Sequence, residues 1–216
     1  MREKLNKFRF EFLLFALLMV IFNKIFFPFD FYNKVVWPVN MVLLGVVSAG
    51  IFHENRGWLL VLKNVLFAGI IIIPFIASHV FGSPTLAIIG TLTYLGFYLI
   101  IFIEVMRQIV RRSEITSSVV FGSLSGFLLL IVIATFSFLL IHTVSGPCFN
   151  GIMGESVPDM YQQFTYFSII TTTTIGYGDI TPATDNARLL SGFWGVVSQF
   201  YMVAVVGIII SKFTSR

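Results

Sequence analysis

Apolar residues fill this chain in blocks, and short stretches that are polar or carry glycine or proline separate the blocks. A helix needs about 20 predominantly apolar residues to cross a bilayer. Six stretches approach that length: 8–27, 35–52, 58–80, 84–106, 117–142 and 188–213. The second is short and contains Pro38 and Asn40. The intervals "PFDFYNK" (28–34), "HENRG" (53–57) and "HVFGSP" (79–84) read as turns between spans. The expected fold is therefore an all-α membrane protein with six transmembrane helices.

The interval between the last two blocks departs from this pattern. "TVSGPCFNGIMGES" (143–156) reads as a loop. Ser156 followed by Asp159 forms a capping-box pattern, and Pro158 suits a first helical turn. Aromatic and apolar residues then continue over 157–172, too short a run to span. This spacing predicts a re-entrant half-helix that enters the membrane from outside. The chain must return through "TTIGYGDITP" (173–182). Irregular backbone at membrane depth is tolerated only inside protein or along a wet cavity, so this segment has to line something.

Composition supports the membrane assignment. Hydrophobic residues make up 57% of the 216 and charged residues 11%, against about 25% charged in a soluble domain. The net charge of +4 is gathered at segment ends and does not form a nucleic-acid footprint. Cys148 is the single cysteine, so no intrachain disulfide is possible. The basic start with Arg2, Lys4, Lys7 and Arg9 runs into a long Phe-rich block without a small-residue cleavage site, which favours a retained first span. With a cytoplasmic N-terminus, eleven Lys and Arg lie inside. Only Lys24, Lys34 and Arg188 lie outside. The positive-inside rule then places both termini in the cytoplasm of a cell whose plasma or inner membrane holds the protein.

The returning segment has a chemistry of its own. Gly176 and Gly178 take backbone conformations that a Cβ disfavours. Alternating them with Ile175 and Tyr177 lets successive carbonyls point the same way, and a row of inward carbonyls replaces a cation's water shell. Thr174 adds a hydroxyl oxygen at the inner end. One chain supplies one wall, so several copies must meet on an axis. The negative end of the half-helix faces the bilayer interior. Asp179, with Asp185, Glu155 and Asp159 more loosely, makes the outer mouth acidic.

"TTTTIGYGDITP" (171–182) resembles the potassium-channel signature, read as Thr-x-x-Thr-x-Gly-Tyr-Gly-Asp from Thr171 to Asp179. The layout is similar to that of the six-span potassium channels of prokaryotes. The likeness is strong over about 116–213 and architectural over 1–115. It implies a homotetramer in membrane lipid, with K+ coordinated by Thr174, Ile175, Gly176, Tyr177 and Gly178 and Asp179 at the outer mouth. Thr171 and Thr173 would support the filter. Tyr166 and Phe167 stand where relatives often carry two Trp, and Tyr166 is placed to donate towards Asp179. Ile170 aligns with a Glu of some members. Ser198 stands where many have a hinge glycine, with Gly195 and Gly207 as other sources of flexibility.

Gating residues follow from spacing. Gln199, Met202, Val206 and Ile210 fall on one face of the last span and form the candidate pore lining. Residues 84–103 carry no charge, and Arg107, Arg111 and Arg112 cluster at the inner end of span four. A steep voltage response needs several charges per subunit within the field, so little intrinsic voltage sensing is expected. The division expected is a four-helix peripheral domain at 1–112 and a pore domain at 113–216. No organic cofactor, nucleic-acid contact, enzymatic constellation or regulatory ligand-binding domain is expected. A weakly selective cation channel and a non-conducting accessory subunit are the rival readings.

Overall fold

The computed structural model describes residues 8–49, 61, 64–70, 72, 84–111, 117–154 and 157–214, without the side chains at 49, 84, 206 and 208–214. Its main helices are α1 (Arg9–Phe22), α2 (Trp37–Ala49), α3 (Pro84–Arg111), α4 (Ser117–Ser145), α5 (Val157–Thr172) and α6 (Asp185–Thr214). Two short strands, β1 (Phe149–Asn150) and β2 (Thr181–Pro182), pair antiparallel, with Phe149 opposite Pro182 and Asn150 opposite Thr181. Among the described residues, three helical stretches are long and apolar enough to cross a membrane: Phe29–Ser48, Thr85–Arg111 and Ser117–Ser145. The protein is a multi-pass membrane protein built mostly of helix. The third predicted block, 58–80, is described only at 61, 64–70 and 72, which are helical. "HENRG" and all of "HVFGSP" but Pro84 lie outside the described residues.

The stretch 28–34 corrects one expectation. It is not a turn: helix begins at Phe29, passes through a wide π turn at Tyr32–Val36 and continues into α2. Pro28, extended at ψ 151°, breaks the chain once. After it, the next obstacle is Pro38, which lacks an N–H and whose ring crowds the carbonyl four residues back. The wide turn just before Pro38 gives that ring room while the helix continues. Asn40, which made this block look insecure, is satisfied by Asn23. Each side-chain amide donates to the other, at 2.9 and 3.0 Å, so neither polar group is orphaned between the apolar helices.

α4 is the centre of the molecule and packs against α1, α3, α5 and α6. It is buried on nearly all sides from Leu129 to Ala134, with Phe136 and Phe138 beyond, as expected of a helix apolar all round. The small residues of "GSLSG" (122–126) admit two different neighbours. A Cβ at Gly122 would lie 3.3 Å from the Phe10 ring and 3.4 Å from Ile109. The Ser125 hydroxyl lies 3.3 Å from the Phe10 carbonyl. Gly126 faces α6, where a Cβ would run into the Tyr201 hydroxyl. These contacts let α1, α3 and α6 approach one helix closely. α5 lies between α4 and α6, and this placement positions the segment that follows it.

Candidate functional site

α5 begins at Val157 with Pro158 in its first turn and ends at Thr172, the bounds predicted from the sequence. Ser156, the expected cap, lies outside the described residues. The buried face of α5 fixes it in place. Phe164 and Phe167 pack edge-on or tilted into a cluster with Phe138 of α4 and Phe149 of β1, with ring centroids 5.0–6.4 Å apart. Deeper in, the fully buried hydroxyls of Ser168 and Thr135 lie 3.2 Å apart. Phe167 therefore braces α5 against α4 and β1 through this aromatic cluster.

At the end of α5 the backbone folds back on itself. The Ile170 carbonyl accepts from the Ile175 N–H at 2.9 Å and the Gly176 N–H at 3.1 Å. The Thr171 carbonyl accepts from Thr174 N–H at 3.2 Å, and the Thr173 hydroxyl donates to the Ile169 carbonyl at 2.6 Å. Ile170 thus contributes its main chain while its side chain is buried.

Beyond this anchor, φ is positive at Thr174 (61°), Gly176 (55°) and Gly178 (82°). Ile175 and Tyr177, between them, are not in that region. Backbone that alternates in hand turns successive carbonyls towards one side, which is the arrangement a dehydrated cation needs. The sequence predicted the two glycines. It named Thr174 for its oxygen but did not predict its positive φ, in a region that β-branched residues enter only under constraint. The constraint is the hydrogen-bonded turn at Thr171–Gly176. Residues 173–179 are all exposed in the single chain, including Ile175 and Tyr177.

The outer end is held from two directions. The Tyr166 hydroxyl donates to Asp179 Oδ2 at 2.7 Å. That bond holds the Asp179 carboxyl below its ordinary value and pushes the Tyr166 hydroxyl up to about 12. From the other side comes Gly151, at φ 82°, so close that a Cβ there would run into the Asp179 carbonyl oxygen. The β1–β2 pair delivers Gly151 to this place. Sequence reading passed over Gly151, whose one signal is its place in an Asn-Gly step inside the outer loop.

Residues 126–215 match the ion-channel family. A further likeness is to the protein named two pore potassium channel b of Oryza sativa subsp. japonica, 49% identical over 47 residues. That match covers 22% of this chain and 12% of the relative, so the chain matches only a small part of that protein's length. The family match takes in α5, the alternating segment and the whole described length of α6.

The inner-helix candidates are distributed around α6. The helix is unbroken from Asp185 to Thr214. Ser198 is fully buried and its hydroxyl donates to the Gly195 carbonyl at 2.8 Å. Gln199, Met202 and Gly207 are exposed, while the side chains of Val206 and Ile210 lie outside the described residues. On α3, Glu104 pairs with Arg107 at 3.2 Å and accepts from Gln108 at 2.7 Å.

Proposed function

We propose that this protein is a potassium-selective channel in which four copies surround one pore. The observation that carries the reading is the alternation of φ at Thr174, Gly176 and Gly178, directly after a short helix that ends at their base. Carbonyls of Thr174 to Gly178 then ring the axis, and K+ exchanges its waters for them. The C-terminal end of α5 directs its partial negative charge at the inner approach. Asp179 and Asp185, both exposed, concentrate cations at the outer mouth. K+ is the permeant ion, and transport rather than catalysis is the activity.

The fourfold arrangement is supported by what the single chain leaves uncovered. Leu189, Phe193, Val196, Phe200 and Val203 are all exposed along α6 at alternating spacings of four and three. Such a stripe suits a helix that meets other helices. Residues 113–216 form the pore unit, and 1–112 a peripheral unit on its outside. α3 carries no charge over 84–103, and its Arg107 is paired with Glu104 at the helix end. The peripheral unit therefore contributes little voltage dependence.

The test is K+ flux into liposomes holding the purified chain, with Tyr177→Ala and Gly178→Ala run in parallel. K+ flux by the parent chain and its loss in both variants are expected. No flux by the parent chain, or flux unaltered in both variants, overturns the reading.

A further inference from the structure

The N-terminal part of α5 is gripped by the peripheral unit, at a residue more than a hundred positions away. Asn33, in the wide turn before α2, uses both ends of its side-chain amide. Its Nδ2 donates to Asp159 Oδ1, and its Oδ1 accepts from Gln162 Nε2 at 3.1 Å. Beside this bridge, Trp37 meets Tyr161 edge to face at 6.1 Å. Tyr32, Trp37 and Tyr161 are buried here. A cavity of about 280 Å³ lies between the end of α1 and α5, lined by residues that include Lys24, Tyr32, Gln162, Tyr166 and Ile169.

Asp159, Gln162 and Tyr166 succeed one another at spacings of three and four, so they share one face of α5. Asn33 binds the first two, and the third binds Asp179 at the outer end of the alternating segment. One strip of helix surface therefore connects the α1–α2 region to the filter.

We propose that Asn33 is a positioning residue for the ion site, holding α5 through Asp159 and Gln162 so that Tyr166 meets Asp179. This rests on the potassium-channel reading above. It assigns to the peripheral unit a grip on the filter from the outer side, independent of charge movement in α3.

The experiment exchanges donor and acceptor. Asn33→Asp places two carboxylates against each other, and Asn33→Asp with Asp159→Asn restores one donor and one acceptor in the reverse order. Full-length chains in lipid are titrated with KCl in a sodium background by calorimetry, and ion selectivity is read from flux. Asn33→Asp is expected to weaken K+ binding about tenfold, the scale of one lost charge-assisted hydrogen bond, and to raise Na+ flux. The double exchange is expected to restore both. A purely structural role would lower thermal stability and leave K+ affinity and selectivity in the assembled protein unmoved. Should Asn33→Asp not assemble, Gln162→Ala removes the other arm of the bridge and carries the same expectation. Parent-like K+ binding in these variants, or no recovery in the double exchange, overturns the role of Asn33 alone. A parent chain that neither binds nor passes K+ overturns the channel reading itself.

Discussion

Thr174 carries the one positive φ outside glycine among the described residues, and its neighbours at 176 and 178 share that hand. The two glycines have open space where a Cβ would sit, so substitution there acts through backbone conformation. Gly178→Ala is expected to cost about 1–2 kcal/mol from the left-handed backbone alone. Its effect should appear as lost K+ binding in calorimetry of a protein that still assembles. Gly151→Ala differs in kind, because its Cβ meets the Asp179 carbonyl. It is expected to displace the outer mouth and to weaken the Tyr166–Asp179 bond. That bond also fixes a pH window. Asp179 is held below its ordinary 3.8, so its bond is fully formed above that value and is lost as pH falls through the lowered one. Tyr166 keeps its proton up to about 12. The carboxyl carbon of Asp179, followed by NMR, is expected to titrate below 3.8 in the parent chain and to return towards it in Tyr166→Phe. An unchanged titration in Tyr166→Phe contradicts the assignment. The sequence could name the glycines because only glycine suits that backbone freely. It named Thr174 for its oxygen but not for its left-handed backbone, which a hydrogen-bonded turn sets, and it passed over Gly151, which the strand pair brings into place.

At the scale of elements, the junction of α3, α4 and α6 turns on Tyr201. Its hydroxyl donates to the Ser123 carbonyl at 2.5 Å, and its ring lies 6.0 Å from Phe102 and 6.1 Å from Phe127. Gly126 leaves the space that the hydroxyl occupies. Gly126→Ala forces Tyr201 out and is expected to cost about 1–3 kcal/mol by overpacking. Tyr201→Phe keeps the ring and loses one bond, about 1 kcal/mol. Thermal unfolding in detergent should rank Gly126→Ala below Tyr201→Phe, and the reverse order contradicts this packing. Element lengths are legible where the apolar run is uninterrupted, as in α4, and where it is too short to span, as in α5. The start of the second span was misread because "PFDFYNK" has turn-forming residues, whereas the wide turn that carries helix past Pro38 leaves no sequence signature. The sequence shows two glycines four apart at 122 and 126, but not that one faces Phe10 and the other Tyr201.

For the whole molecule, α1 and α3 both pack against α4 within the one chain. With α3 free of charge over 84–103, conductance in symmetric solutions is expected to vary little with voltage. A steep conductance–voltage curve from purified protein contradicts that. The apolar stripe on α6 and the segment 173–179 are both exposed in the single chain. The most direct test is the reversal potential of the purified, reconstituted protein with K+ on one side of the bilayer and Na+ on the other. A ring of main-chain oxygens from Thr174 to Gly178 predicts a reversal displaced far towards the K+ equilibrium potential. A reversal at zero, with Na+ carrying as much current as K+, contradicts it.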